Sequence, residues 1–404
     1  MEVGIFSMPT IGPRAEIEKG MAGVRTDLYQ TMLRNLVEQA RYIDETGYYG
    51  FGFTEHHFHI EGEEVSTNPI MLDLYLGLHT KRLRVGQLGN VLPSQHPIRV
   101  AEDVAMLDQM TQGRAFSGFA RGYQSRWVNV MGQRFEALRQ NGGANAALYE
   151  DTKRELYEEH FDIIMKAWSN DTFSHQGKHW QIPPADIYWP AHEVSAEFGQ
   201  GVDANGIVRE IGIAPKTYNK RIPDLFQPFS FSEKTIRWAM RHNVSPISII
   251  AGDMEAAKSQ FRAAQEELEK TTGKSQKFGA RMGITREIVC ADTDEEAKAL
   301  ALDAGTFLWC KFFQPFGFNA AITLPGEDPM TVKNDFDSLV ERGLVIYGSP
   351  DTVKRKLEAL LKELPVDYFW MMNYNELLPQ KPMMRHMELM TKHVWPHFTD
   401  KIKA

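Results

Sequence analysis

Between residues 3 and 121 four short apolar runs alternate with longer stretches whose apolar side chains fall at helical spacing. Few folds accept that order. Residues 3–8 are apolar and closed by Pro9, which suits a buried strand. Over residues 27–46 apolar side chains recur at Leu28, Met32, Leu36, Ala40 and Ile43, and Gly47 supplies the stop. Residues 49–54 read as a second strand, and Asn68-Pro69 opens a helix to about residue 80. A third strand follows at 83–90, a helix at 97–111 with Pro97 in the tolerated first turn, and a fourth strand at 114–121. Repeated strand–helix–strand order predicts a parallel sheet with right-handed crossovers.

Further along, residues 124–147 show no clear period, whereas 152–168 form a strongly amphipathic helix through Leu156, Phe161, Ile164 and Trp168. A hairpin is expected over 173–182 around Gln176-Gly177, and a surface excursion rich in Pro, Gly and acids over 183–205. Strands are expected at 209–213, 225–229, 246–251, 281–291 and 368–372, with helices at 233–242, 254–270, 294–311 and 351–361. Residues 314–330 hold three prolines and two glycines and are long for a connector, so a mobile lid is expected there. These nine candidates supply eight plausible barrel strands. The expected fold is α/β, a (β/α)8 TIM barrel in a single domain over 1–404, with insertions at about 123–150 and 183–208 and the lid at 314–330. The chain's 404 residues, 43% of them hydrophobic, are ample for such a core.

Composition removes several functions. The net charge is -8 and no Lys/Arg run stands out, so no nucleic-acid partner is expected. Cys290 and Cys310 are the two cysteines and form no CxxC, against a disulfide framework or thiolate metal site and in keeping with a reducing cytoplasm. No apolar run of about 18 residues predicts a membrane span. The first residues, Met1-Glu2-Val3-Gly4-Ile5-Phe6, carry neither the basic region nor the apolar run of a signal peptide.

Polar blocks gather where these strands end, as they do where an α/β barrel builds an active site. Glu55-His56-His57-Phe58-His59 admits three readings: a His-x-His metal pair (His57, His59), an acid/base histidine in a cofactor pocket, or a solvated loop. A metal barrel needs more ligands from later strands, and His242, His386, His393 and His397 fall on or beside expected helices. In Leu88-Gly89-Asn90 a strand-end glycine permits close approach of a flat ligand, or simply a bulge. Arg121 before Gly122 suits a phosphate or carboxylate, or an ion pair with a helix acid. Ser230-Phe231-Ser232-Glu233-Lys234-Thr235 opens a helix; Ser232 is a natural N-cap, and such a terminus can also bind an anion. There is no GxGxxG, Walker loop or Gly-x-Ser-x-Gly elbow.

Together the blocks Glu55-His56-His57-Phe58, Val91-Leu92-Pro93, His96-Pro97-Ile98-Arg99, Leu107-Asp108-Gln109-Met110 and Gly113-Arg114 resemble the bacterial luciferase-like, flavin-dependent monooxygenases. The resemblance is specific over residues 1–125 and looser through 161–168, the Ser232 helix start and 347–353. It implies a barrel, usually dimeric, that borrows reduced FMN (FMNH2) from a separate NAD(P)H:flavin reductase. Such an enzyme inserts one oxygen atom of O2 into a small apolar organic substrate through a flavin peroxide. Carried over by position, His56 matches the active-site histidine beside the flavin, with Glu55 as its catalytic neighbour. Leu88-Gly89 matches a pair whose peptide bond can be cis, letting the backbone press on the flavin face, and Asn90 sits where a side chain could face the ring. Arg121, Ser232 and Thr235 match phosphate-binding positions, and Ser230 is counted with them as cofactor-binding; no metal is implied. Ala120 replaces a reactive cysteine of true luciferases, so light emission is not implied. The excursion at 183–208 and the lid at 314–330 are expected to shape the substrate pocket. Two alternatives remain: a deazaflavin-dependent hydride-transfer enzyme on the same barrel, and a non-catalytic flavin-binding subunit. The Glu-His-His-Phe and Leu-Asp-Gln-Met blocks favour the monooxygenase.

Overall fold

The first half of the chain folds in the expected alternation: β1 (Glu2–Ser7), α1 (Thr26–Thr46), β2 (Gly50–Phe53), α2 (Pro69–His79), β3 (Arg84–Val91), α3 (Pro97–Met110), β4 (Ala115–Ala120) and α4 (Ala146–Ser169). It continues through β5 (Asp224–Ser230), α5 (Glu233–Arg241), β6 (Ser245–Ser248), α6 (Met254–Thr272), β7 (Gly283–Cys290), α7 (Asp294–Phe307), α8 (Pro350–Glu363), β8 (Tyr368–Asn373) and α9 (Gln380–Leu389). This computed structural model describes residues 1–139 and 146–403; positions 140–145, part of the insertion expected at 123–150, lie outside the described residues. In sheet order β1 to β8 run consecutively, β8 pairs with β1, and β6 pairs with β7, so the parallel strands close into a (β/α)8 barrel. A ninth strand, Val345–Gly348, pairs in parallel with the end of β7 and was not anticipated.

Local signals explain the helix ends. Gly47 closes α1 in the left-handed region, and the Asn68 side chain accepts from the Met71 N–H to start α2, with Pro69 at the first turn. Ser232 and Asp253 cap α5 and α6 in the same way.

By internal packing the chain divides into two compact units, Met1–Gly89 with Leu225–Ala404, and Asn90–Asp224. In the first, aromatic side chains meet inside the sheet: Phe226 lies 5.0 Å from Tyr368 and 5.3 Å from Trp370, ring centre to ring centre. Since β5 and β8 are not neighbours in the sheet, these contacts mark its inward face. In the second, α3 and α4 pack together and the Trp168 indole donates to the Ala101 carbonyl at 2.9 Å. The Leu-Asp-Gln-Met block is structural here: buried Asp108 accepts from the N–H groups of Ala115 and Tyr218, tying α3 to the start of β4.

Two expectations change. Residues 209–213 form no strand; Ile211 makes one antiparallel bridge to Phe173, because that stretch joins the short hairpin region. Within 123–150 a helix, Ser125–Met131, and a 3-10 turn, Glu136–Arg139, replace the expected loop, and α4 begins at Ala146 rather than near 152. At the start of the expected lid, 3-10 turns at Gln314–Phe316 and Phe318–Ala321 follow a π-helical turn, Leu308–Phe313. The excursion at 183–208 holds a short helix, His192–Phe198, with exposed apolar side chains. No helix of the described residues is long and apolar enough to cross a membrane.

Candidate active site

The loop after β2 turns back on itself and buries its polar residues. His56 is 5% exposed and Glu64 fully buried. His56 Nδ1 lies 3.1 Å from the Thr54 hydroxyl, and its Nε2 lies 3.2 Å from Glu64 Oε1. His59 stands beside them, its Nδ1 2.8 Å from the Glu63 carbonyl and its ring 5.7 Å from that of His56. Burial first, then the neighbouring His59 and His57, push the His56 imidazole well below its usual range. It is therefore neutral at ordinary pH and has one N–H for its two oxygen partners. Phe58 and Glu64 both sit at positive φ, 65° and 44°, conformations that side-chain-bearing residues adopt only when surrounding contacts impose them.

Glu55 Oε1 pairs with His57 Nε2 at 2.9 Å. The carboxyl facing His56 is Glu64, which has no spacing that links it to the histidine block. A His57–His59 metal pair does not form either, since each ring is engaged separately.

Leu88 and Gly89 are joined by a cis peptide bond. Just before them Gln87 Nε2 donates to Asp73 Oδ2 at 2.6 Å, fixing β3 to α2. Ser232 caps α5: its hydroxyl accepts from the Thr235 N–H at 3.3 Å and reaches the Thr235 hydroxyl at 3.0 Å. The Ser230 hydroxyl donates to the Gln227 carbonyl at 3.2 Å.

In the unit Asn90–Asp224, Asn90 is buried at the end of β3 and Arg121 follows β4 half-buried. Burial, and then the nearby Arg154 cation, pull the Arg121 guanidinium below its usual range. No described residue forms an ion pair with it. Lys153 stands in the same cluster, salt-bridged to Glu150 at 2.7 Å and donating to the Gly122 carbonyl at 3.2 Å. Lys153 and Arg154 carried no signal in the sequence beyond their place on an amphipathic helix. Arg121, Lys153 and Arg154 lie within electrostatic reach of one another, with Glu150 and Glu158 nearby, and cations gathered in this way can bind a phosphate.

Aromatic side chains from the lid region complete the first unit's polar loop. Phe312 meets His59 edge-on at 5.6 Å. Phe313 meets Phe318 at 5.1 Å, Phe318 meets Phe229 at 5.6 Å, and Phe229 meets Phe6 at 5.0 Å.

A closed parallel barrel with helices between its strands is a scaffold on which many enzymes build their sites at the strand ends. The model of the family described as luciferase-like monooxygenase matches residues 1–368, and the chain belongs to that family. It is 28% identical over 309 residues to 3,6-diketocamphane 1,6-monooxygenase of Pseudomonas putida, covering 73% of this chain and 74% of that one. Among solved structures it superposes, with a TM-score of 0.74 and 23% identity over all of both chains, on the oxygenating constituent of 3,6-diketocamphane monooxygenase from P. putida. That protein is described as a type II Baeyer–Villiger monooxygenase in complex with FMN. The coenzyme F420-dependent tetrahydromethanopterin reductase of Methanopyrus kandleri shares the fold at a TM-score of 0.57 and 13% identity, over 98% of this chain and 99% of that one.

Proposed function

We propose that this luciferase-like monooxygenase takes reduced FMN from a separate NAD(P)H:flavin reductase and uses it with O2 to convert a small apolar ketone to its ester or lactone. Overall, ketone, O2 and FMNH2 give lactone, FMN and water. The observation that carries the reading is the relationship to a diketocamphane monooxygenase across three-quarters of both chains. The residues fit the cofactor: half-buried Arg121 with Lys153 and Arg154 suits the FMN phosphate, and the Ser232–Thr235 helix start is a second anion-binding candidate. When bound, the reduced flavin supplies the electrons that activate O2. His56, neutral and held by Thr54 and Glu64, would accept or give the proton of the oxygen chemistry. Glu55 orients His57, and Leu88, Gly89 and Asn90 are assigned to the flavin face. A homodimer is part of the same proposal.

The test is anaerobic titration with photoreduced FMN, followed by 18O2 and 3,6-diketocamphane, with product mass read by chromatography–mass spectrometry. One heavy oxygen in a lactone is expected. Failure to bind reduced FMN, with binding of reduced deazaflavin instead, would replace this reading with hydride transfer.

A further inference from the structure

Glu287 lies on β7 in register with Met372 of β8, two positions beyond the pair Thr285–Trp370, so it shares the inward face that carries Trp370. It is fully buried. Its Oε2 accepts from the Trp309 indole N–H at 3.2 Å, and its Oε1 has no hydrogen-bond partner among the described residues. Tyr374, just past the end of β8, is also buried, and its hydroxyl has no partner among the described residues. Gly305 makes room for that hydroxyl, since a Cβ there would stand 2.7 Å from it. Gly305 and Trp309 are four residues apart, so they lie on one side of the helical segment; the Tyr374 hydroxyl and the Glu287 carboxyl are thus presented about one turn apart.

Buried polar atoms are almost always paired, and exceptions call for an occupant. Burial pushes Glu287 up to about 8, so its carboxyl is protonated near neutral pH. Burial likewise pushes the Tyr374 phenol well above its usual range, with Glu287 and Cys310 adding to it. With Oε2 accepting from Trp309, the acid proton sits on Oε1. The result is two O–H donors lacking an acceptor. Beside them Trp309 touches Phe313 at 5.1 Å and Phe318 at 6.3 Å, the start of the aromatic run that continues to Phe229 and Phe6.

We propose that Glu287 and Tyr374 together anchor the carbonyl oxygen of the ketone substrate, with the carbon skeleton lying against the lid aromatics. The proposal rests on the Baeyer–Villiger reading above. A ketone oxygen has two lone pairs for two donors. As an oxygen nucleophile bonds to the carbonyl carbon, the C=O π pair moves onto that oxygen, and donors already in place stabilise it. A protonated carboxyl paired with a tyrosine is a known donor arrangement for such charge.

The experiment compares wild type with Glu287→Gln, Glu287→Leu and Tyr374→Phe, each loaded with oxidised FMN. The probe is 3,6-diketocamphane bearing 13C at a carbonyl carbon, read by isotope-edited infrared spectroscopy. The wild-type carbonyl band is expected at lower wavenumber than in water, less displaced in Tyr374→Phe and undisplaced in Glu287→Leu. In turnover with reduced FMN, Tyr374→Phe and Glu287→Leu each lower kcat about 100-fold, while Glu287→Gln, which keeps shape and a donor, stays within about tenfold. Unchanged FMN affinity in all variants separates anchoring from a structural role. Lactone formation by wild type with the same carbonyl band in all variants would overturn the anchor and leave the Baeyer–Villiger reading intact, the two atoms then being occupied by water. No lactone from wild type would overturn that reading; the displaced band, or its absence, then decides the anchor separately. If Glu287→Leu fails to fold, Tyr374→Phe and Glu287→Gln carry the same comparison.

Discussion

At the scale of single residues the site is a matter of which charges are kept out. His56, His160 and His386 are buried, and burial holds each imidazole below its usual value, the latter two at about 3. The unfolded chain protonates these rings below about 6.5. Their contribution to stability is therefore full above that pH and is lost as pH falls toward the folded values. The urea midpoint should fall between pH 6.5 and 4, and His160→Gln should flatten that slope; an equal slope in the variant would contradict the assignment. Glu287, raised to about 8, has the opposite sign: the fold keeps its proton where the unfolded chain loses it, so its contribution is full at low pH and lost as pH rises toward 8. His56→Ala should keep the fold and flavin binding and lose about 100-fold or more in turnover. Steady-state rates also separate the two carboxyls, since Glu64→Gln should impair turnover more than Glu55→Gln, whose carboxyl serves His57. Arg121→Ala should weaken FMN binding far more than riboflavin binding; equal loss would remove the phosphate role.

At the scale of elements, buried carboxyls act as joints. Asp44 on α1 accepts from the N–H groups of Lys81, Arg82 and Leu83 just before β3, and Asp108 does the same between α3 and β4. Asp73 on α2 accepts from Gln87 and from the Gly86 N–H, which fixes β3 immediately before the Leu88–Gly89 bond. Asp73→Leu leaves both donors unpaired and should cost about 1–3 kcal/mol per unsatisfied group, measured by urea denaturation. Helix ends and apolar periods were readable because they are local: Gly47, Asn68-Pro69 and Ser232 do in the fold what their residue types suggest. The strand at 345–348 and the 3-10 turns at 314–321 were not, because a short apolar run has no period to distinguish it from a connector, and Pro315 occupies the first turn of a short helix rather than breaking it.

At the scale of the whole molecule, α2 leaves Met71 and Leu78 exposed, 68% and 69%, seven residues apart and so on one face. An apolar helix face of this kind fits the proposed homodimer, and sedimentation should show Leu78→Arg as a monomer if this face is the interface.

The sequence by itself determined the alternation of strands and helices, hence the barrel, and marked its strand ends with the His56, Gly89, Arg121 and Ser232 blocks; these are short-range patterns carried by neighbouring residues. Only the tertiary structure decided which carboxyl faces His56, which cations surround Arg121, that Ser230 is turned back to its own strand, and that Glu287, Trp309 and Tyr374 meet. Those pairings join residues far apart in the chain or select among near neighbours by direction alone. Burial, backbone turn and register create them, and none of these is written in the spacing of residue types.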